Sequence, residues 1–200
     1  MSFLIYVETN WIVGAVMGQD PGAEDLLALS ADRIKIALPD VCVMEAISAF
    51  DWKRGDRNKL RAELDRQLAQ LQRSIEIPVA QRLAKQLTEA DFTNAEFLSD
   101  LFKRLDDYLF RIAQRVELIP LSNAVVLHQL ELKRQTELDR DDALILASIL
   151  DHSLTDAVNN KAFLTGNIHD FRKKEVAQLL RQNRIKHFSS SERLLRWLSQ

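Results

Sequence analysis

Short apolar runs and helical segments take turns along this chain, and that alternation limits its fold more than any other feature. Residues 3–7, 34–38, 116–119 and 161–165 read as β-strands, with a weaker fifth at 185–188. Helical periodicity fills 23–32, 40–53, 122–135, 142–154, 172–183 and 190–199. In 142–154, for instance, Ile145, Leu146, Ile149 and Leu150 recur at helical spacing. Strands separated by helices predict an α/β fold with a mostly parallel sheet covered on both faces. Gly14, Gly18, Pro21, Gly22, Pro39, Gly55, Pro78, Pro120 and Gly166 are the only glycines and prolines, and they mark the breaks.

The stretch 53–115 interrupts the rhythm. It has no convincing strand, and Leu60, Leu64, Leu68 and Leu71 form a helical stripe, which predicts an insertion of two or three helices within a single domain spanning 1–200. Its charge is uneven. Residues 53–73 carry seven basic and three acidic side chains, whereas 88–107 carry two basic and six acidic ones. Solvated helix faces that pair with each other account for this pattern.

Composition excludes several classes. An apolar fraction of 46 % with 28 % charged residues is that of a globular chain, not a disordered one. No run approaches the roughly 18 apolar residues of a membrane span, so no membrane association is expected. The opening MSFLIYVETN has neither a basic leader nor a cleavage site, and the lone Cys42 rules out an internal disulfide and a multi-cysteine zinc site; both observations predict a cytoplasmic protein. With 27 basic and 29 acidic residues the net charge is −2, so any affinity for nucleic acid has to come from local patches.

Acidic and amide side chains stand where such a sheet exposes them. Glu8 follows the first strand in Glu8-Thr9-Asn10, and its charge next to five apolar residues is costly unless something pairs with it. Glu45 sits on the helix opened by Pro39-Asp40. There Val41, Met44 and Ile47 form one apolar stripe and Cys42, Glu45 and Ala49 the adjacent one, so Glu45 borders the core. Asp142 lies at the N-terminal end of the inward stripe of its helix, and Asn167 and Asp170 follow the fourth strand. Each also has a structural reading: Asp142 in a capping box with Asp139, Asp170 as cap of a helix starting near Arg172, Glu45 as a helix-flank acid. In an open α/β sheet, however, function gathers at the carboxyl ends of the strands where strand order reverses. Carboxylates meeting there repel one another, and a divalent cation relieves the repulsion. An all-oxygen set favours Mg²⁺ or Mn²⁺.

In order along the chain, Glu8-Thr9-Asn10, Pro39-Asp40 through Glu45, Asp142-Ala-Leu-Ile-Leu-Ala-Ser148, Phe163-Leu-Thr-Gly-Asn167 and Asp170-Phe171 resemble the motifs of the PIN-domain family, of the kind that includes VapC-type ribonucleases. The resemblance covers residues 1–52 and 116–188. It implies a three-layer fold with sheet order 3-2-1-4-5. It also implies metal-dependent hydrolysis of single-stranded RNA, with Glu8, Glu45, Asp142 and Asp170 catalytic and holding Mg²⁺ or Mn²⁺. Thr9 and Thr165 become orienting hydroxyls, Asn10 part of the opening motif, and Asn167 a neutral ligand or water-holder. An antitoxin partner and a homodimer are further implications. Two positions depart from the family pattern: Glu8 where Asp is usual, and Asn167 where many members carry an acid. They keep open an alternative, a weak or inactive PIN domain that binds RNA or another protein.

Basic residues cluster just past the last motif. Arg172, Lys173, Lys174, Arg181, Arg184 and Lys186 oppose only Glu175, a patch that suits a phosphate backbone as well as a solvated helix, with Arg172 and Lys173 nearest the acids. His169 reads as an exposed loop residue and Trp11 as core.

Overall fold

A computed structural model describes residues 2–29, 34–74 and 76–199. Its elements are β1 (Phe3–Val7), α1 (Thr9–Val16), α2 (Pro21–Ala28), β2 (Ile34–Pro39), α3 (Asp40–Leu71), α4 (Pro78–Arg115), β3 (Glu117–Ile119), α5 (Asn123–Gln135), α6 (Arg140–Thr155), β4 (Asn160–Leu164), α7 (Ile168–Phe171), α8 (Lys174–Gln182), β5 (Ile185–Phe188) and α9 (Ser191–Leu198). The chain divides into two compact units, residues 1–46 with 108–200, and residues 47–107.

The first unit is the α/β sheet the alternation predicts. Five strands run parallel in the order β3-β2-β1-β4-β5, flanked by helices. Phe3 of β1 stands opposite Ile34 of β2 on one side and Asn160 of β4 on the other. The chain moves outward from β1 through β2 to β3, then returns to β1's other edge with β4. Strand order therefore reverses between β1 and β4, the place where open α/β sheets put their sites. Leu4, Ile5, Tyr6 and Val7 are fully buried, as a central strand covered on both faces requires. α5 packs along α6, α6 lies against β2 and β3, and α2 packs on α9.

The second unit consists of parts of α3 and α4, with no strand among its described residues. The two segments run antiparallel: Arg54 lies over the Phe102 ring at 5.1 Å and Arg57 over Phe97 at 5.0 Å. Arg61 reaches Asp91 at 3.6 Å.

Several boundaries differ from the sequence reading. The helix placed at 40–53 continues to Leu71 through Gly55, where a Cβ would meet nothing within 4 Å, and the insertion's helical content is two long helices. Gly55 costs only about 1 kcal/mol in a helix interior, too little to stop one. α1 runs through Gly14, which reads as a break; a Cβ there would lie 3.3 Å from that of Asp20, so this glycine serves close packing, and the helix stops before Gly18 at φ 67°. The helix expected at 23–32 ends at Ala28; residues 30–32 of that span lie outside the described residues. Residues 172–183 form α8 only from Lys174, preceded by the short α7. Met44 is 64 % exposed rather than part of an inward stripe, and Cys42 and Ala46 face inward instead.

Candidate active site

The carboxyl ends of β1 and β4 gather most of the predicted residues into a hydrogen-bonded network around Glu8 and Asn167, with a Thr9–Glu45 pair beside it joined to Glu8 only through the backbone. Glu8 leaves β1 in extended conformation and caps α1, its Oε2 accepting from the Asn10 N–H at 2.8 Å. The Gly166 N–H just beyond β4 donates to its Oε1 at 3.2 Å, and the Thr165 hydroxyl and Asn10 side chain also bond to it. These contacts tie β1 to β4 at the reversal point. Glu8 is 3 % exposed. Burial pushes its carboxyl up against the pull of those donors.

From Glu8 the site spreads both ways. Toward α3, the Thr9 hydroxyl donates to Glu45 Oε2. Glu45 is half-buried, and burial raises its carboxyl, opposed by Thr9 and assisted by the charges of Asp141 and Asp139. Toward α6, the Asn167 N–H donates to Thr165 Oγ1 at 3.0 Å while its side-chain amide donates to Asp142 Oδ2 at 2.9 Å. Asn167 Oδ1 in turn accepts the Asp170 N–H at 3.3 Å, so Asn167 caps α7 and positions Asp142 with one side chain.

Asp142 is the electrostatic centre. Its carboxyl is pushed up to about 7, first by burial and then by the charges of Asp139, Asp170, Glu8 and Glu45. Those carboxylates come from four separate stretches of chain. Asp139 caps α6 by accepting the Asp142 N–H at 2.9 Å, so the capping reading and the site reading of Asp142 hold together. Asp170 differs: the Lys173 ammonium at 2.8 Å, with smaller help from Asn167 and His169, holds it below the usual carboxylate range. Lys173 also donates to the Glu137 carbonyl at 3.0 Å.

The site therefore holds Glu8, Thr9, Asn10, Glu45, Asp142, Thr165, Asn167, Asp170 and Lys173. Arg172 is exposed at the end of α7 and makes no hydrogen bond to it among the described residues. Asp170 lies inside α7 rather than capping a helix at Arg172; Asn167 is the cap. The acids Asp139 and Asp141 and the backbone N–H of Gly166 also belong to the site. The acids were visible as the run Asp139-Arg-Asp-Asp142; nothing in the sequence marks the N–H.

The donors are all oxygen or amide, the chemistry of a hard cation. Among the described residues, no three His, Cys, Asp or Glu side chains are grouped so as to hold a metal ion together.

No protein-family model and no curated protein matches the chain. Among solved structures it is similar to the crystal structure of VapBC2 from Rickettsia felis bound to a DNA fragment from their promoter. The TM-score is 0.47 at 16 % identity, over 92 % of this chain and 98 % of that chain. No helix among the described residues is long and apolar enough to cross a membrane.

Proposed function

We propose that this chain is a Mg²⁺- or Mn²⁺-dependent ribonuclease that hydrolyses single-stranded RNA, as its resemblance to PIN-domain proteins implies. The observation that carries the reading is the convergence at the reversal point of the sheet of Glu8, Asp142 and Asp170 in one hydrogen-bonded network, with Glu45 held beside it by the Thr9 hydroxyl. Asp142 is the principal holder of the cation, with Glu45 and Glu8 its nearest acidic companions. A bound divalent ion supplies positive charge that acidifies water and offsets the charge developing on the phosphate.

The chain's own residues do the rest. Asn167 fixes the rotamer of Asp142 through its amide N–H, Thr9 fixes Glu45, and Thr165 with the Gly166 N–H fixes Glu8. Lys173 holds Asp170 and brings a cation to the rim, where it attracts a phosphate backbone. Asn167 in place of an acid is thus an orienter rather than a gap. The longer Glu8 reaches two backbone N–H groups at once.

A second reading is favoured by one observation: Asp170 is already neutralised by Lys173, which fits a PIN-like domain that binds RNA or a protein, an antitoxin or a second copy, without cleaving. Incubation of single-stranded RNA with wild type and Asp142→Asn separates them. Cleavage that requires Mg²⁺ or Mn²⁺ and is lost in the variant is expected. Equal activity in both removes the site, and retained RNA binding without cleavage leaves the second reading.

A further inference from the structure

We propose that the open face of the α3–α4 hairpin in the second unit is a self-association surface, on which a second copy of this chain lays its own hairpin antiparallel to form a four-helix bundle. The proposal does not rest on the ribonuclease reading and goes beyond it.

Two helices packed on each other bury one seam, and a second apolar stripe on either helix then needs another partner. The inward seam of α4 includes Ala80, Asn94 and Leu101, all buried. Beside it, Leu83, Gln86, Ala90, Thr93 and Phe97 recur at the alternating three- and four-residue spacing of a coiled-coil seam. The last four of these, with Leu60 and Leu64 of α3, border a groove of about 760 Å³. Leu60, Leu83 and Phe97 are 41, 43 and 41 % exposed. Large apolar side chains at seam positions of this kind mark an interaction surface.

The stripe is complementary to itself, and that selects a second copy as its occupant. Leu83 lies seven residues before Ala90 and Phe97 seven after. An antiparallel α4 crossing at Ala90 therefore sets Leu83 against the partner's Phe97 and Phe97 against the partner's Leu83, and the small Ala90 lets the helices approach closely.

The charges beside the stripe obey the same symmetry. Glu89 borders the groove, Arg82 and Glu96 lie seven residues to either side of it on one line, and Lys85 stands between Arg82 and Glu89. All four are exposed and have no ion-pair partner among the described residues. Crossing at Ala90 brings Arg82 and Lys85 level with the partner's Glu96, and the reverse pairing follows by symmetry. α3 fits the same axis. Arg57 stacks on Phe97 and Arg61 reaches Asp91, so Ala90 is level with the turn between Leu60 and Leu64, and the axis sets Leu60 against the partner's Leu64. Glu63 meets the partner's Glu63 there, each already held by Arg66 at 2.6 Å. The other way to stack two hairpins, α3 over the partner's α4, instead brings Asp56 and Glu63 level with the partner's Glu96 and Glu89. Like charges reject that arrangement.

The test is sedimentation equilibrium of the full chain from about 1 to about 200 µM, where mass action should carry wild type from monomer to dimer. Ala90→Arg alters an exposed side chain, leaves the inward seam intact and should raise the dimer Kd at least about 10-fold. Arg82→Glu with Lys85→Glu makes the line of charges wholly acidic, and Glu89→Lys with Glu96→Lys makes it wholly basic. Each of these chains alone should stay monomeric, and the two mixed should pair. Oxidation of Ala90→Cys should link two copies through a disulfide, whereas Ala95→Cys, off the groove side of α4, should not; the native Cys42 is buried. A monomer at every concentration, a dimer unchanged by Ala90→Arg, reversed chains that fail to pair when mixed, or equal cross-linking at 90 and 95 overturns the proposal. RNA cleavage, present or absent, bears only on the nuclease reading.

Discussion

The parallel sheet carries charged side chains at both ends, and the two ends manage that charge in opposite ways. At the amino ends, Lys35 bridges Glu117 at 2.8 Å and Asp156 at 3.0 Å, and His152 stands between the Tyr6 hydroxyl at 3.0 Å and Glu117 at 3.3 Å. The buried Lys161 ammonium donates to the Ser153 carbonyl and, at 2.9 Å, to that of Asp156. Burial pulls Asp156 up, but the Val158 N–H and Lys35 outweigh it and its carboxyl ends below the usual range. At the carboxyl ends Glu8, Glu45 and Asp142 are all raised, and among the described residues only Asp170 has a cation beside it. An acid whose neighbours are cations completes the fold. An acid whose neighbours are other acids lacks a cation, and perturbed groups of that second kind collect at functional sites.

The largest expected effect breaks the carboxyl end alone. Asp142→Asn should lower metal-dependent RNA cleavage by more than about 100-fold, and Asn167→Ala, which frees Asp142 to turn, by roughly 10–100-fold. Both are read as initial rates at saturating Mg²⁺; Asn167→Ala also removes the cap of α7 and should lose about 0.5–1 kcal/mol in urea unfolding, too little to unfold the protein under assay conditions. If Asn167→Ala cleaves like wild type, Asn167 does not position Asp142.

The next effect belongs to the amino end. Lys161→Met keeps the aliphatic stem and strips the ammonium from two buried carbonyls, a loss of about 1–3 kcal/mol in urea unfolding with no change in metal response. A variant that instead lost its response to Mn²⁺ would show that the two ends are coupled.

A pH titration of stability contrasts the two ends directly. The raised carboxyl of Asp142 means that folded protein binds a proton the unfolded chain has released, so the metal-free protein should lose stability as pH rises from about 4 to about 7. Since Asp142 is partly exposed, solvent screening holds the change to about 1 kcal/mol, and it should vanish in Asp142→Asn. Asp156 has the reverse sign: its contribution is present above the ordinary carboxylate range and is lost as pH falls through its lowered value. The smallest effect is Lys35→Ala, worth about 0.5 kcal/mol because that bridge is exposed.

Much of this was legible in the residues. Fully buried strands such as β1 read as unbroken apolar runs, so all five strands fall within a residue of their expected bounds. Glu8, Asp142 and Asp170 stand out because an acid directly after an apolar run, or on an inward stripe, needs an explanation. α1 was not legible, since Gly14 looks like a break until its approach to Asp20 is seen. Nor was the pairing of Asp170 with Lys173, which depends on α7 being a separate turn.

The most direct measurement is calorimetric titration of the full chain with Mn²⁺ at about pH 8, where Asp142 is ionised. Wild type should bind the ion and gain about 2.7 kcal/mol of stability at 100 times its Kd, while Asp142→Asn should show neither. Absence of binding in wild type, or equal binding in the variant, would contradict a cation site at the carboxyl end of this sheet.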